Sequence, residues 1–283
     1  MFVPNLTIKT GSKDKKNTLW NTYNFPWQEG IKIHELGETS ICVAIEHAGE
    51  GKLISVLPIY KTHAEQKKKA KTGKPVYIPP MTDPAWIRML VSNGSEYSLL
   101  PAYPGLPVCI KLKEAFLLPA GAELEGWIFS RPEAQIWLSN SLVASLPLRP
   151  PHKTLFGPPD TGIVCRYDEA EFLATGEPMF EAMNADPSLV SHPVRLKNSS
   201  QEGMLVEELC IYGEELSIFA EGDRMMSEKL SFVFSASGLK MSLIGQDPAS
   251  SGWTLLTRPK ISGEERFRVR SIELLKAITR LSL

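Results

Sequence analysis

Residues 40–47, SICVAIEH, and 52–60, KLISVLPIY, decide how this chain is read. Each is an apolar run of strand length, and only AGEG separates them. That connection is too short for the crossover that parallel strands need, so the two runs are antiparallel neighbours. Ile41, Val43 and Ile45 share one face and Cys42 and Ala44 the other. In the second run Leu53, Ser55, Leu57 and Ile59 alternate with Ile54 and Val56. Both faces are partly apolar, which predicts a sheet packed against a second layer. IKIHE, residues 31–35, precedes them across the turn-like LGETS and extends the series.

Outward from this pair the pattern repeats. Further strands are expected at 86–92, 107–118, 124–129, 135–138, 154–156, 163–167, 194–197, 204–212, 216–220, 230–235 and 239–244. The stretch VRLKNSSQEGMLVEELCI, residues 194–211, reads as a hairpin turning at Asn198, Ser199, Ser200 and Gly203. The 22 prolines cluster at 75–84, 101–107, 147–151 and 158–159. Lacking an N–H and fixed in φ, they separate short elements instead of lying inside them. Residues 168–192 read as an acidic connector. The C-terminal end departs from the pattern. Within 266–281, Ile272, Leu275, Ile278 and Leu281 recur near three-residue spacing, joined by Leu274, with Lys276 and Arg280 outward, as in an amphipathic helix. The expectation is a mainly β chain of two antiparallel β-sandwich-like halves with a C-terminal amphipathic helix. The 283 residues suit two domains. The proline-marked LVASLPLRPPHK, 142–153, places an N-terminal β-rich domain at 1–150 and a C-terminal β-rich domain with the helix at 151–283.

Composition narrows the function classes. The net charge of −1 argues against a nucleic-acid coat. Charge is uneven: residues 1–80 hold 12 Lys and Arg against 7 Asp and Glu, and residues 160–225 hold 14 acids against 4 bases. Such asymmetry bears on solubility and association, not on fold. Cys42, Cys109, Cys165 and Cys210 are far apart without CxxC or zinc spacing, and three stand in apolar runs, so buried reduced thiols are expected. No basic, then apolar, leader opens the sequence, and no apolar run approaches the ~20 residues of a membrane span. A soluble, cytoplasmic protein with no membrane partner is the expectation.

One tract is distinctive: LFGPPDTGIVCRY, residues 155–167. Pro158 and Pro159 stiffen it, while Gly157 and Gly162 allow backbone closed to other residues. Ile163, Cys165 and Tyr167 then face one side of a strand, and Val164, Arg166 and Asp168 the other. The tract reads as a structural corner or, through turn N–H groups and Arg166, as an anion receptor. Its glycine spacing fits neither the P-loop nor the dinucleotide fingerprint. The tract resembles a signature of family 432 of the domains of unknown function, a set of prokaryotic proteins. IPPMTDP at 78–84, VRLKNSSQEGMLVEELCIYGEELSIF at 194–219 and FPWQEG at 25–30, with Trp27 and Gly30, are similar to further blocks of it. The resemblance implies a β-rich protein of unassigned activity and supplies no functional residues.

Candidate chemistry is sparse. Cys165 with His152 as base would make a nucleophile pair, but Ile163 and Val164 mark the thiol as buried. Asp168, Glu169 and Glu171 could supply paired carboxylates and read more simply as a solvated face. His34, His47, His63, His152 and His192 are dispersed without HxH or HExxH, so no metal site and no cofactor is expected. Residues 61–74 are almost free of apolar side chains, and Thr62 with Glu65 fits a capping box. Lys67, Lys68, Lys69, Lys71 and Lys74 could hold an anionic polymer, although no aromatic residue interrupts them for stacking. Trp20, Tyr23, Phe25 and Trp27 could stack a ring or anchor the chain to a sheet. The leading reading is a non-catalytic binding or assembly module with a protein partner or a second copy. The alternatives are an enzyme with an unrecognised site between the halves, and polymer binding through the lysine stretch.

Overall fold

A computed structural model of the chain describes residues 19–24, 30–49, 51–61, 77–91, 96–138, 140–160, 162–235, 238–245 and 248–260, with the backbone of 270–272. It is mainly β. The chain divides into two compact units, one from residues 1–102 with 133–150, the other from 103–132 with 151–283. A cut after residue 150 is therefore the last of three crossings, and residues 103–132 belong with the C-terminal part.

In the first unit β2 (Gly30–Leu36), β3 (Thr39–Ala48), β4 (Gly51–Tyr60) and β5 (Ile87–Val91) form an antiparallel sheet in sequence order. Val43 lies opposite Val56 and Ala48 opposite Gly51, so the strands of the central hairpin run one residue beyond the expected segments at several ends. Ile41, Val43, Ile54 and Val56 are buried on one face, Cys42, Ala44 and Leu57 on the other. The second face is covered by Trp86, with Ile78, Met81 and Ile59 against it. Asp83 folds that cover. Its N–H donates to Pro80 O, its carbonyl accepts from Trp86 N and its carboxylate from Ala85 N. A second antiparallel sheet orders β1 (Thr22–Asn24), β6 (Glu96–Ala102), β9 (Glu133–Leu138) and β10 (Ser141–Pro147). Thr39 Oγ1 donates to Leu148 O and His34 bonds Tyr97, tying the two sheets. The proline-marked boundary segment is thus a strand up to Pro147.

In the second unit β11 (Lys153–Phe156), β12 (Ile163–Ala170), β7 (Val108–Leu118) and β14 (Met204–Ile211) form one sheet in that order, with β12 and β7 parallel. The larger sheet is centred on β13 (Val190–Asn198), flanked by antiparallel β8 (Glu123–Ser130) and by parallel β16 (Arg224–Met226) and β17 (Lys229–Ser235). β15 (Ile218–Glu221), β18 (Gly238–Ile244), β19 (Thr254–Thr257) and β20 (Arg270–Ile272) complete it. Leu230, Phe232 and Phe234, the expected face of β17, are all buried.

Three expectations are corrected. β13 and β14 are not a hairpin, because each pairs within a different sheet. Asn198 makes the crossing: buried, its amide donates to Leu118, Pro119 and Glu202 carbonyls, and its Oδ1 accepts from Ser200 N and Oγ. The acidic connector contains α1 (Glu177–Ala185), the single α-helix among the described residues, with Pro178 in its first turn and Met179 and Met183 buried against Phe129. Residues 270–272, placed in the expected terminal helix, are strand β20, paired antiparallel to β18. The remainder of that helix lies outside the described residues.

Candidate functional site

The distinctive tract joins β11 to β12. Leu155 lies opposite Val164 and Thr154 opposite Cys165. Gly157 adopts φ +98°, open to glycine at little cost. Gly162 serves differently. Its N–H donates to Pro158 O at 2.6 Å, and a Cβ there would lie 2.6 Å from that oxygen and 2.9 Å from Phe156 O. The requirement at Gly162 is close approach of backbone, and no positive φ is involved. Strand alternation then buries Cys165 and exposes Val164. Arg166 N donates to Pro107 O and Tyr167 N to His152 O, fixing the tract to its neighbours.

Cys165 faces other thiols instead of a base. Its Sγ lies 3.8 Å from Cys210 Sγ and 3.6 Å from Ile163 O. Cys109, opposite Cys210 in the β7–β14 ladder, donates to Glu208 Oε2 at 3.4 Å. Burial pushes the Cys109 thiol up, while the hydrogen bond between Cys165 and Cys210 pushes Cys210 up, burial adding to it, and pulls Cys165 down. His152 is exposed while the Cys165 sulfur is buried. The carboxylates separate as well. Asp168 is buried, accepting from Arg131 N at 2.9 Å and from its guanidinium at 3.1 Å, Glu169 is exposed, and Glu171 pairs with Lys113 at 2.8 Å. Among the described residues no three His, Cys, Asp or Glu side chains are arranged to hold a metal ion.

The sequence reading missed the most ordered polar cluster. His192, 0% exposed in β13, meets Ser130 Oγ through Nε2 at 2.7 Å and Ser227 Oγ through Nδ1 at 2.8 Å. Ser227 donates its own proton to Glu228 O at 2.8 Å. Nδ1 therefore carries the ring proton, and Nε2 accepts from the Ser130 hydroxyl. Burial holds the imidazole down to about 3, so it is neutral. Tyr103 lies 6.0 Å away, ring to ring, and its buried hydroxyl has no hydrogen-bond partner among the described residues. The three members sit on β8, on β13 and beside β16, brought together by sheet pairings that no spacing in the sequence announces.

In the first unit Tyr23 anchors β1. It pairs with Tyr97, donates its hydroxyl to Leu19 O at 2.6 Å, and carries the Lys32 ammonium 3.9 Å over its ring. His34 bonds Tyr97 Oη at 2.5 Å and burial lowers its pKa to about 4. Trp20 is buried, whereas Phe25, Trp27, His63 and Lys67 to Lys74 lie outside the described residues. No helix among the described residues is long and apolar enough to cross a membrane.

These features define a mainly β protein whose thiols, buried histidines and Asp168 are enclosed within its sheets. Residues 19–275 match the family described as protein of unknown function (DUF432), and the chain belongs to that family. No curated protein and no solved structure matches it.

Proposed function

We propose that the protein is a non-catalytic assembly module that binds through strand β11, a second copy of the chain being the partner. The supporting observation is an exposed apolar pair, Leu155 on edge strand β11 and Val164 opposite it on β12, 41% and 52% exposed, with the other side of β11 unpaired among the described residues. Open strand edges recruit a further strand, and apolar side chains above them add burial. Lys153 and Arg166 lie opposite each other on the same face and would rim such a contact. Sedimentation velocity over a concentration series tests this. Self-association weakened by Leu155→Lys and Val164→Lys is expected; a monomer at every concentration would count against the reading.

A second reading, an acyl-transfer enzyme, has one observation in its favour. Ser130, His192 and Ser227 stand in the order nucleophile, base and orienting group, with the tautomer such chemistry needs. The burial of Ser130 and His192 opposes it. Labelling of Ser130 by a fluorophosphonate, lost in Ser130→Ala, would favour the enzyme.

A further inference from the structure

We propose that Cys165 and Cys210 form a clasp for a soft two-coordinate cation, with Cu(I) the representative ion. Their sulfurs lie 3.8 Å apart although their strands are not neighbours, since β7 runs between β12 and β14. The sulfurs of a disulfide lie about 2.05 Å apart with Cα atoms within about 7 Å, so a bridge would require the two strands on either side of β7 to draw together. A cation between the sulfurs would hold them about 4.6 Å apart at ~2.3 Å per metal–sulfur bond. That is less than an ångström beyond the present separation, within reach of small side-chain rotations.

Donor chemistry selects the ion. Two thiols, with no group of three His, Cys, Asp or Glu arranged as a metal cage among the described residues, suit a soft d10 ion satisfied by two sulfurs. Hard divalent cations want several oxygens and are excluded. Capture forms two metal–sulfur bonds, breaks two S–H bonds and releases two protons to water; no electron is transferred. With Cu(I) the complex carries one negative charge. Lys111, two residues along β7 from Cys109, lies on that sheet face. Both sulfurs are buried, and access comes through β11, an edge strand of four residues beside β12. Short edges of this kind open locally at low cost.

The test uses the full reduced chain under anaerobic conditions, titrated with Cu(I) supplied as its acetonitrile complex. Expected are about one ion per chain with near-ultraviolet thiolate charge transfer, about two protons released, and affinity at least ~10-fold weaker in Cys165→Ser and Cys210→Ser. Cys42→Ser, in the other unit, should bind as the wild type does. Alkylation of the unmodified chain, mapped by mass spectrometry, guards against variants that fail to fold: Cu(I) should slow labelling of Cys165 and Cys210 and leave Cys42 unchanged. No charge-transfer band, binding that survives loss of both cysteines, or equal protection of Cys42 would each overturn the clasp.

Discussion

His34 and His192 are both buried, yet the two units satisfy them in different ways. His34 has one bond, from Nε2 to the phenol of Tyr97, and an aromatic wall in Tyr23, 4.5 Å away between ring centres. His192 spends both nitrogens on serine hydroxyls. The first is a ring packed among rings, with a single polar tie between two sheets. The second is the middle of a chain of hydrogen bonds running from β8 through β13 towards β16. Removing His34 takes one bond from the Tyr97 hydroxyl; removing His192 takes one from each of two serines, and although Ser227 keeps its bond to Glu228 O, the Ser130 hydroxyl loses its partner in a dry site, at a cost of about 1–3 kcal/mol. The second unit should therefore be the more sensitive to the loss of its histidine.

The largest expected effect sharpens that contrast. His192→Leu should lower stability by about 2–4 kcal/mol, read as a fall in the urea midpoint, because Ser130 is left unsatisfied and Ser227 loses one of its two bonds. A loss under ~1 kcal/mol would mean that water replaces the ring and that the chain of bonds is dispensable.

Acid should act on both sites. Burial puts the native pKa of His192 at about 3 and that of His34 at about 4, while the unfolded chain titrates near 6.5. Between those values the unfolded state binds protons that the native state refuses, so stability falls as pH falls. The loss begins below about 6.5 and amounts to as much as ~1.4 kcal/mol per pH unit for each histidine. Below about 4 the His34 contribution levels off and His192 continues alone. Urea midpoints from pH 7 to pH 4 check this: the stability gap between wild type and His192→Leu should narrow on acidification. A gap independent of pH would contradict the depressed value.

The smallest effect belongs to His34→Phe, at about 1–2 kcal/mol. Phenylalanine keeps the ring contacts with Tyr23 and leaves only the Tyr97 hydroxyl without its histidine. If this variant proved as damaging as His192→Leu, the difference between the two sites would be one of burial alone and not of bonding.

The β3–β4 hairpin was legible because its partners are adjacent in the chain and four residues cannot carry a crossover. The β13–β14 segment misled for the converse reason. Asn198-Ser199-Ser200 does make a turn, but Asn198 turns inward to three carbonyls and sends the two strands to separate sheets. Turn chemistry is local and the choice of partner is not. Helix α1 hid behind its acids: only Met179 and Met183 mark the buried side, too few to register as a period. In the distinctive tract, alternation put Cys165 and Val164 on opposite faces, and the first is buried and the second exposed, but Asp168, placed on the face of Val164, is buried too, because Arg131 covers its carboxylate. Neither Cys210 near Cys165 nor Ser130 near His192 could be read, since each contact spans 45 or more residues and depends on sheet order.

The three crossings between units set a timetable for synthesis. Residues 103–132 leave the ribosome before 133–150 complete the first unit, yet β7 must wait for β12 and β14, and β8 for β13. About 80 further residues must be made before β14 is finished, roughly 4–16 s at ordinary translation rates. Until β12 is made, ending at Ala170, β7 has both edges open although it ends as an interior strand, and one edge stays open until β14 is finished at Ile211. Slow translation or a shortage of chaperones should therefore penalise this chain through residues 108–130, long before its C-terminal strands exist.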